Sequence, residues 1–191
     1  KNMLINGLVW MGEEHFMKTQ IEEKLAQGFS CIKLKIGAID FEKELGLLRF
    51  IRQNFDAKTI EIRVDANGAF ASNEALSKLN QLHEFELHSI EQPIKANQIQ
   101  EMKLLCQQTP FPIALDEELI GVFETEDKRK LLEEIQPQYI ILKPSLVGGF
   151  KGTLEWISIA ESLNIGWWIT SALESNIGLN AITQFTFTLN N

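Results

Sequence analysis

Short β-branched runs end at a nearly constant interval along this chain. Six of them close on Lys35, Asp65, Glu91, Asp116, Lys143 and Ser171, which lie 30, 26, 25, 27 and 28 residues apart. One strand, one helix and two short loops fill a unit of that length. The runs that read as strands cover residues 4–10, 31–36, 60–65, 87–91, 113–116, 139–143 and 166–171. Between them, apolar residues recur at three- and four-residue spacing, the signature of amphipathic helices. Phe41, Leu45, Leu48, Ile51 and Phe55 would share one helix face, with Asp40 as its N-cap. Asn97 with Gln100 resembles a capping box, and Gly28 stands where the first helix should stop.

Strand–helix alternation implies parallel strands joined by right-handed crossovers. An open doubly wound sheet draws its functional residues from the few strands at one switch point. In a closed barrel the ends of many strands meet at one mouth. Six consecutive strands ending in Lys, Asp, Glu or Ser favour the barrel. The count stops short of closure, however, with seven strands and seven helices in 191 residues. The expectation is an α/β fold, a (β/α) TIM barrel that is incomplete, forming a single truncated domain over residues 1–191 with the eighth strand absent. The open edge would invite a homo-oligomer or strand exchange.

Composition narrows the function. The formal net charge is −8 with no Lys/Arg cluster, which argues against a nucleic-acid or anionic-membrane surface. No apolar run reaches the roughly 18–20 residues of a membrane span. The two cysteines, Cys31 and Cys106, lack metal-type spacing, so a reduced, cytoplasmic protein is expected. His15, His83 and His88 show no ligand pattern. Gly148-Gly149 reads as a loop needing positive φ before it reads as a phosphate cradle. Trp167-Trp168 reads as core. Glu117 and Glu118 read equally as a lysine-orienting carboxylate or as solvated loop charges, and the run 124–130 as a solvated helix start.

The strand ends carry the chemistry. Asp65, Glu91 and Asp116 follow one another on three successive strands, and gathered at one mouth they would repel strongly. A hard divalent cation neutralises such a set, and Mg²⁺ suits a few carboxylates plus water and substrate oxygens. The structural alternative is that each carboxylate caps the helix after it. In Cys31-Ile32-Lys33-Leu34-Lys35-Ile36, Lys33 and Lys35 point to one side, the barrel interior. Each ammonium disfavours charge on the other, so both are expected to titrate below an ordinary lysine and to act as bases near neutrality. Lys143 ends a strand four units later and would face Lys35 across the mouth. A lysine base beside carboxylate-held Mg²⁺ suits abstraction of a proton next to a carboxylate, through an ene-diolate.

In this ordered set the chain resembles the barrel domain of the enolase superfamily, and within it the muconate-lactonising subgroup. The resemblance rests on Lys33-Leu34-Lys35, Asp65, Glu91, Asp116 and Lys143, in order and over essentially the whole chain. Ser171-Ala172-Leu173-Glu174-Ser175-Asn176, together with Lys143-Pro144-Ser145-Leu146-Val147-Gly148-Gly149, is similar to its o-succinylbenzoate synthase branch. The resemblance implies Mg²⁺, with Mn²⁺ as a substitute, on Asp65, Glu91 and Asp116. It implies a small carboxylate substrate and the syn-dehydration of 2-succinyl-6-hydroxy-2,4-cyclohexadiene-1-carboxylate to o-succinylbenzoate in menaquinone biosynthesis. Lys35 would then be the base, Lys143 the stabilising cation on the opposite face, and Lys33 the tuning partner. Ser171, Gly148 and Gly149 would hold the succinyl tail, and Asn67 would support the metal. The competing readings are a dipeptide epimerase or N-acylamino acid racemase of the same subgroup, and a non-catalytic barrel fragment. The N-terminal capping domain of the family is not found before Leu4, so the chain alone is expected to be nearly inactive.

Overall fold

A computed structural model describes residues 3–189. Seven βα units follow one another. They are β1 (Gly7–Val9) and α1 (Glu14–Ala26), β2 (Cys31–Lys35) and α2 (Phe41–Asn54), β3 (Glu61–Asp65) and α3 (Ser72–Leu82), β4 (Ser89–Glu91) and α4 (Ile99–Gln108), β5 (Ile113–Leu115) and α5 (Thr125–Ile135), β6 (Tyr139–Leu142) and α6 (Gly149–Ser162), and β7 (Gly166–Ile169) and α7 (Asn176–Phe187). Short 3-10 turns, His83–Phe85 and Glu117–Leu119, precede β4 and follow β5. Among the described residues the sheet has seven strands in the order β1 to β7, all parallel, with β1 and β7 at its edges. The expectation of an eighth strand beginning at the C-terminus falls on Asn190 and Asn191, which lie outside the described residues.

The sheet curls. Arg63 on β3 lays its guanidinium 4.4 Å from the ring of Trp168 on β7, so strands four places apart face each other. One face of each strand packs outward on the helices: Ile32, Leu34, Ile62, Val64 and Ile90 are completely buried there. Each such side chain contributes about 1.5–3 kcal/mol relative to exposure. On β2 and β3 the inner face is polar, with Lys33 and Lys35 beside Arg63 and Asp65.

Local signals mostly act as the sequence implies. The Asp40 side chain accepts from the Glu42 N–H at the start of α2. Gly28 ends α1 at φ +82°, a left-handed conformation that glycine adopts without a Cβ penalty. Two expectations are overturned. Asn97 does not cap α4: it lies one residue too early, at φ +69°, and its N–H donates to Glu118 at 2.8 Å. In the 124–130 run, Lys128 is buried rather than solvated, because the helix turns its Nζ inward to Glu155 at 2.6 Å. Among the described residues no helix is long and apolar enough to cross a membrane.

Candidate active site

Parallel strands bring all their C-terminal ends to one side, and the register aligns the polar ones. Lys35 pairs with Asp65 across β2 and β3, and Asp65 with Glu91 across β3 and β4. Asp116 and Lys143 stand one residue beyond β5 and β6, and Ser171 two beyond β7. Lys33, Lys35, Asp65, Glu91, Asp116 and Lys143 pair closely at this mouth. The Lys35 ammonium donates to Asp65 at 2.5 Å and to Asn67 Oδ1 at 2.7 Å. Lys33 pairs with Glu91 and lies 2.9 Å from Asp65. Lys143 pairs with Asp116 and stands 3.9 Å from Glu91 Oε1. The carboxylates are almost fully buried, at 0%, 3% and 2% exposure for Asp65, Glu91 and Asp116.

Burial and neighbours set the charges. Burial pushes Glu91 up, and adjacent Asp65 and Asp116 add to it, so its carboxyl titrates well above the usual range despite Lys33. For Asp65 the effect of burial is outweighed by Lys33 and Lys35, which hold it below that range. Burial favours the neutral amine of Lys33, but Glu91 and Asp65 outweigh it and hold the group above an ordinary lysine. The expectation of a lowered Lys33 is thus overturned: it considered the neighbouring lysine and not the two carboxylates that the fold sets closer. Lys143 is held up in the same way, burial being outweighed by Asp116 and Glu91.

The donor set suits a hard divalent cation. Three buried carboxylates stand on adjacent strand ends, and Glu91 Oε1 is buried without a hydrogen-bond partner. In the arrangement seen, ammonium groups hydrogen-bond to one oxygen of each carboxylate, and among the described residues no group of three His, Cys, Asp or Glu side chains is set to hold an ion.

A cavity of about 260 Å³ opens at the same mouth. Lys33, Lys35 and Lys143 form its cationic side, Leu8, Trp10 and Leu146 its apolar side, and Thr170, Ser171 and Leu173 its rim. Ser171 therefore lines the cavity, but its hydroxyl donates to Glu174 at 2.6 Å. Asn67 lies beside Lys35, and its amide also donates to Glu117 at 2.8 Å. Gly148 and Gly149 do not line the cavity. They adopt φ +96° and +68° where the chain turns into α6, and the turn alone explains them. Glu118 is neither a lysine partner nor solvated: it is buried and accepts from Asn97 and Gln92.

Three participants escape the sequence reading. Trp10 lies just beyond β1, its ring 5.8 Å from Lys35 Nζ, and the strand-end rule applied to the first strand would have found it. Glu174 accepts from Ser145, from Ser171 and from the Ala172 N–H, tying the loops after β6 and β7 together at the rim. Gln92 is buried beside Glu91. Nothing in sequence spacing marks either of these two.

Comparison with known proteins follows the same lines. The chain is 58% identical to an o-succinylbenzoate synthase of Desulfotalea psychrophila, over 97% of this chain and 50% of that protein. The crystal structure of MenC from Desulfotalea psychrophila superimposes with a TM-score of 0.91 at 55% identity, covering 98% of this chain and 52% of the other. An N-succinylamino acid racemase of Thermus thermophilus is 33% identical over 83% of this chain and 40% of its own length. The chain thus spans about half the length of these relatives. The family described as Enolase C-terminal domain-like matches residues 17–191, and this chain, with its seven parallel strands and charged strand ends, belongs to that family.

Proposed function

We propose that the protein is an o-succinylbenzoate synthase, a lyase to which this chain supplies the barrel and its catalytic groups. The observation that carries the reading is the mouth itself, where Lys33, Lys35 and Lys143 line one cavity and are paired to the three buried carboxylates Glu91, Asp65 and Asp116. The 58% identity to the Desulfotalea psychrophila enzyme favours this member of the family over the more distant racemase.

The substrate would be the cyclohexadiene carboxylate that becomes aromatic on losing the proton next to its carboxylate and a neighbouring hydroxyl. Asp65, Glu91 and Asp116 would hold Mg²⁺, or Mn²⁺ in its place, and when bound the cation would neutralise the charge that develops on the substrate carboxylate. Lys35, released from Asp65 and Asn67, takes the proton from carbon. It returns that proton to the departing hydroxyl, which leaves as water, so one base serves both halves of a syn elimination. Lys143, an ammonium lining the cavity, keeps positive charge facing the enediolate. Lys33 shares Asp65 with Lys35 and so fixes where the base sits. Trp10, Leu8 and Leu146 give the ring an apolar wall.

The test is a dehydration assay on the full-length protein with and without Mg²⁺, with Lys35→Ala as control. Aromatic product is expected, with turnover reduced by about 10²–10⁴-fold or more in the variant. Two lysines on one cavity also suit proton exchange on either face of an α-carbon. A protein that forms no o-succinylbenzoate but exchanges the α-proton of N-succinylamino acids would be the racemase instead.

A further inference from the structure

Gln92 has no exposed surface, and its backbone is held at φ +37°, a left-handed conformation that costs a non-glycine residue of order 1–3 kcal/mol. Every hydrogen-bonding group it owns is used, on β5 or on the segments that follow β3, β4 and β5. Its main-chain oxygen accepts from the Gly68 N–H at 2.7 Å, three residues after Asp65, and its N–H donates to Ala114 at 2.9 Å, two residues before Asp116. Its side-chain oxygen accepts from the N–H groups of Asp116 at 3.1 Å and Glu118 at 3.3 Å. Its side-chain nitrogen donates to the Ile94 carbonyl at 3.0 Å and to the Glu118 carboxylate at 3.1 Å. Glu118 in turn accepts from the Asn97 N–H at 2.8 Å. One residue therefore bonds to the segments carrying Asp65 and Asp116 while being covalently joined to Glu91.

We propose that Gln92 is a positioning residue that fixes the spacing of the three carboxylate-bearing strand ends and thereby sets the protein's affinity for a divalent cation. The inference rests on the reading of Asp65, Glu91 and Asp116 as cation ligands. It goes beyond that reading by placing part of the affinity in a neutral amide that touches none of their carboxylates. A buried amide with all its bonds made is stiff, and loss of such outer partners costs metal sites about 10–100-fold in affinity.

Free Mn²⁺, followed by its paramagnetic resonance signal, is titrated into the full-length protein, and unfolding is followed separately in EDTA. Gln92→Glu keeps the side-chain acceptor but loses both donors and sets a carboxylate against Glu118. Mn²⁺ binding is expected to weaken by about 10–100-fold. The exchange Gln92→Glu with Glu118→Gln conserves total charge and restores a donor and acceptor between the two positions, and is expected to recover most of the affinity. Native affinity in Gln92→Glu overturns the inference, and so does lowered thermal stability with unchanged Mn²⁺ binding. If the single variant does not fold, the exchange decides: a folded exchange variant with native-like affinity supports the inference, and one with poor affinity overturns it. The titration uses no organic substrate, so failure of the dehydration reading leaves its outcome intact. A native protein that binds no Mn²⁺ removes the ligand reading and this inference together.

Discussion

Replacing Lys143 by Met tests whether the mouth's charges depend on one another. Lys143 is 15% exposed, and its partners Asp116 and Glu91 are 2% and 3% exposed. Methionine keeps the aliphatic stem and removes the ammonium, leaving Asp116 without its cation. Breaking a buried pair from one side costs about 3–5 kcal/mol, because the remaining charge stays desolvated. For a domain of this size each kcal/mol moves Tm by about 2–4 °C, so in EDTA the variant should melt roughly 6–20 °C below native. Mg²⁺ should stabilise Lys143→Met more than native, since the cation no longer competes with an ammonium for Asp116. The assay is thermal unfolding of the full-length protein by circular dichroism, in EDTA and at saturating Mg²⁺. Lys151→Met is the control: Lys151 is 92% exposed and pairs with Glu155 on its own helix, so Tm should hold. A deficit below about 2 °C in EDTA, or a Mg²⁺ response no larger than native, would refute the electrostatic account.

Further predictions concern the rest of the barrel. Burial, reinforced by Arg63, holds His88 below its ordinary value of 6.5, so between those two values the unfolded chain binds more protons and stability falls as pH drops below about 6.5; His88→Phe should flatten that part of a Tm-against-pH curve. Burial pushes both Cys31 and Cys106 up to about 12, leaving a thiolate fraction on the order of 1 in 10,000 at pH 8; peptide mapping after iodoacetamide treatment should find both unmodified in the folded protein and modified in denaturant. Ile62 is fully buried between β3 and the helices, so Ile62→Ala should cost about 2–5 kcal/mol in urea unfolding with no change at the mouth.

The repeating interval made the architecture legible because a parallel barrel puts every strand end on one side. Lys35, Asp65 and Glu91 close their strands, and Asp116 and Lys143 lie one residue beyond theirs, all within the intervals read from sequence. Charge states were not legible in the same way. The protonation of Lys33 depends on which carboxylates stand nearest, and Glu91 is 58 residues away along the chain. The polar ties between loops were hidden for a related reason. Ser171 lines the cavity, but no sequence pattern shows that its hydroxyl donates to Glu174. Asn97 has the right residue type for a cap, but its backbone is committed to Glu118, which no local pattern reveals. Lys128 looks like one charge in a solvated run, but the fold buries it and pairs it with Glu155 on α6.

The neighbour-by-neighbour strand order has a consequence for the sequence of events in folding. Among the described residues every hydrogen-bonded strand pair joins segments adjacent in the chain, such as those ending in Lys35 and Asp65, 30 residues apart. Closing loops of that size carries a small and similar entropic cost at each step, so the sheet can extend from any neighbouring pair already formed. Contacts that curl the sheet, such as Arg63 with Trp168, and those that span several strands at the mouth, such as Lys143 with Glu91, need the intervening strands in place first. The site is thus complete only when all of its strands are in place, and a chain holding only part of its sheet lacks the geometry for chemistry.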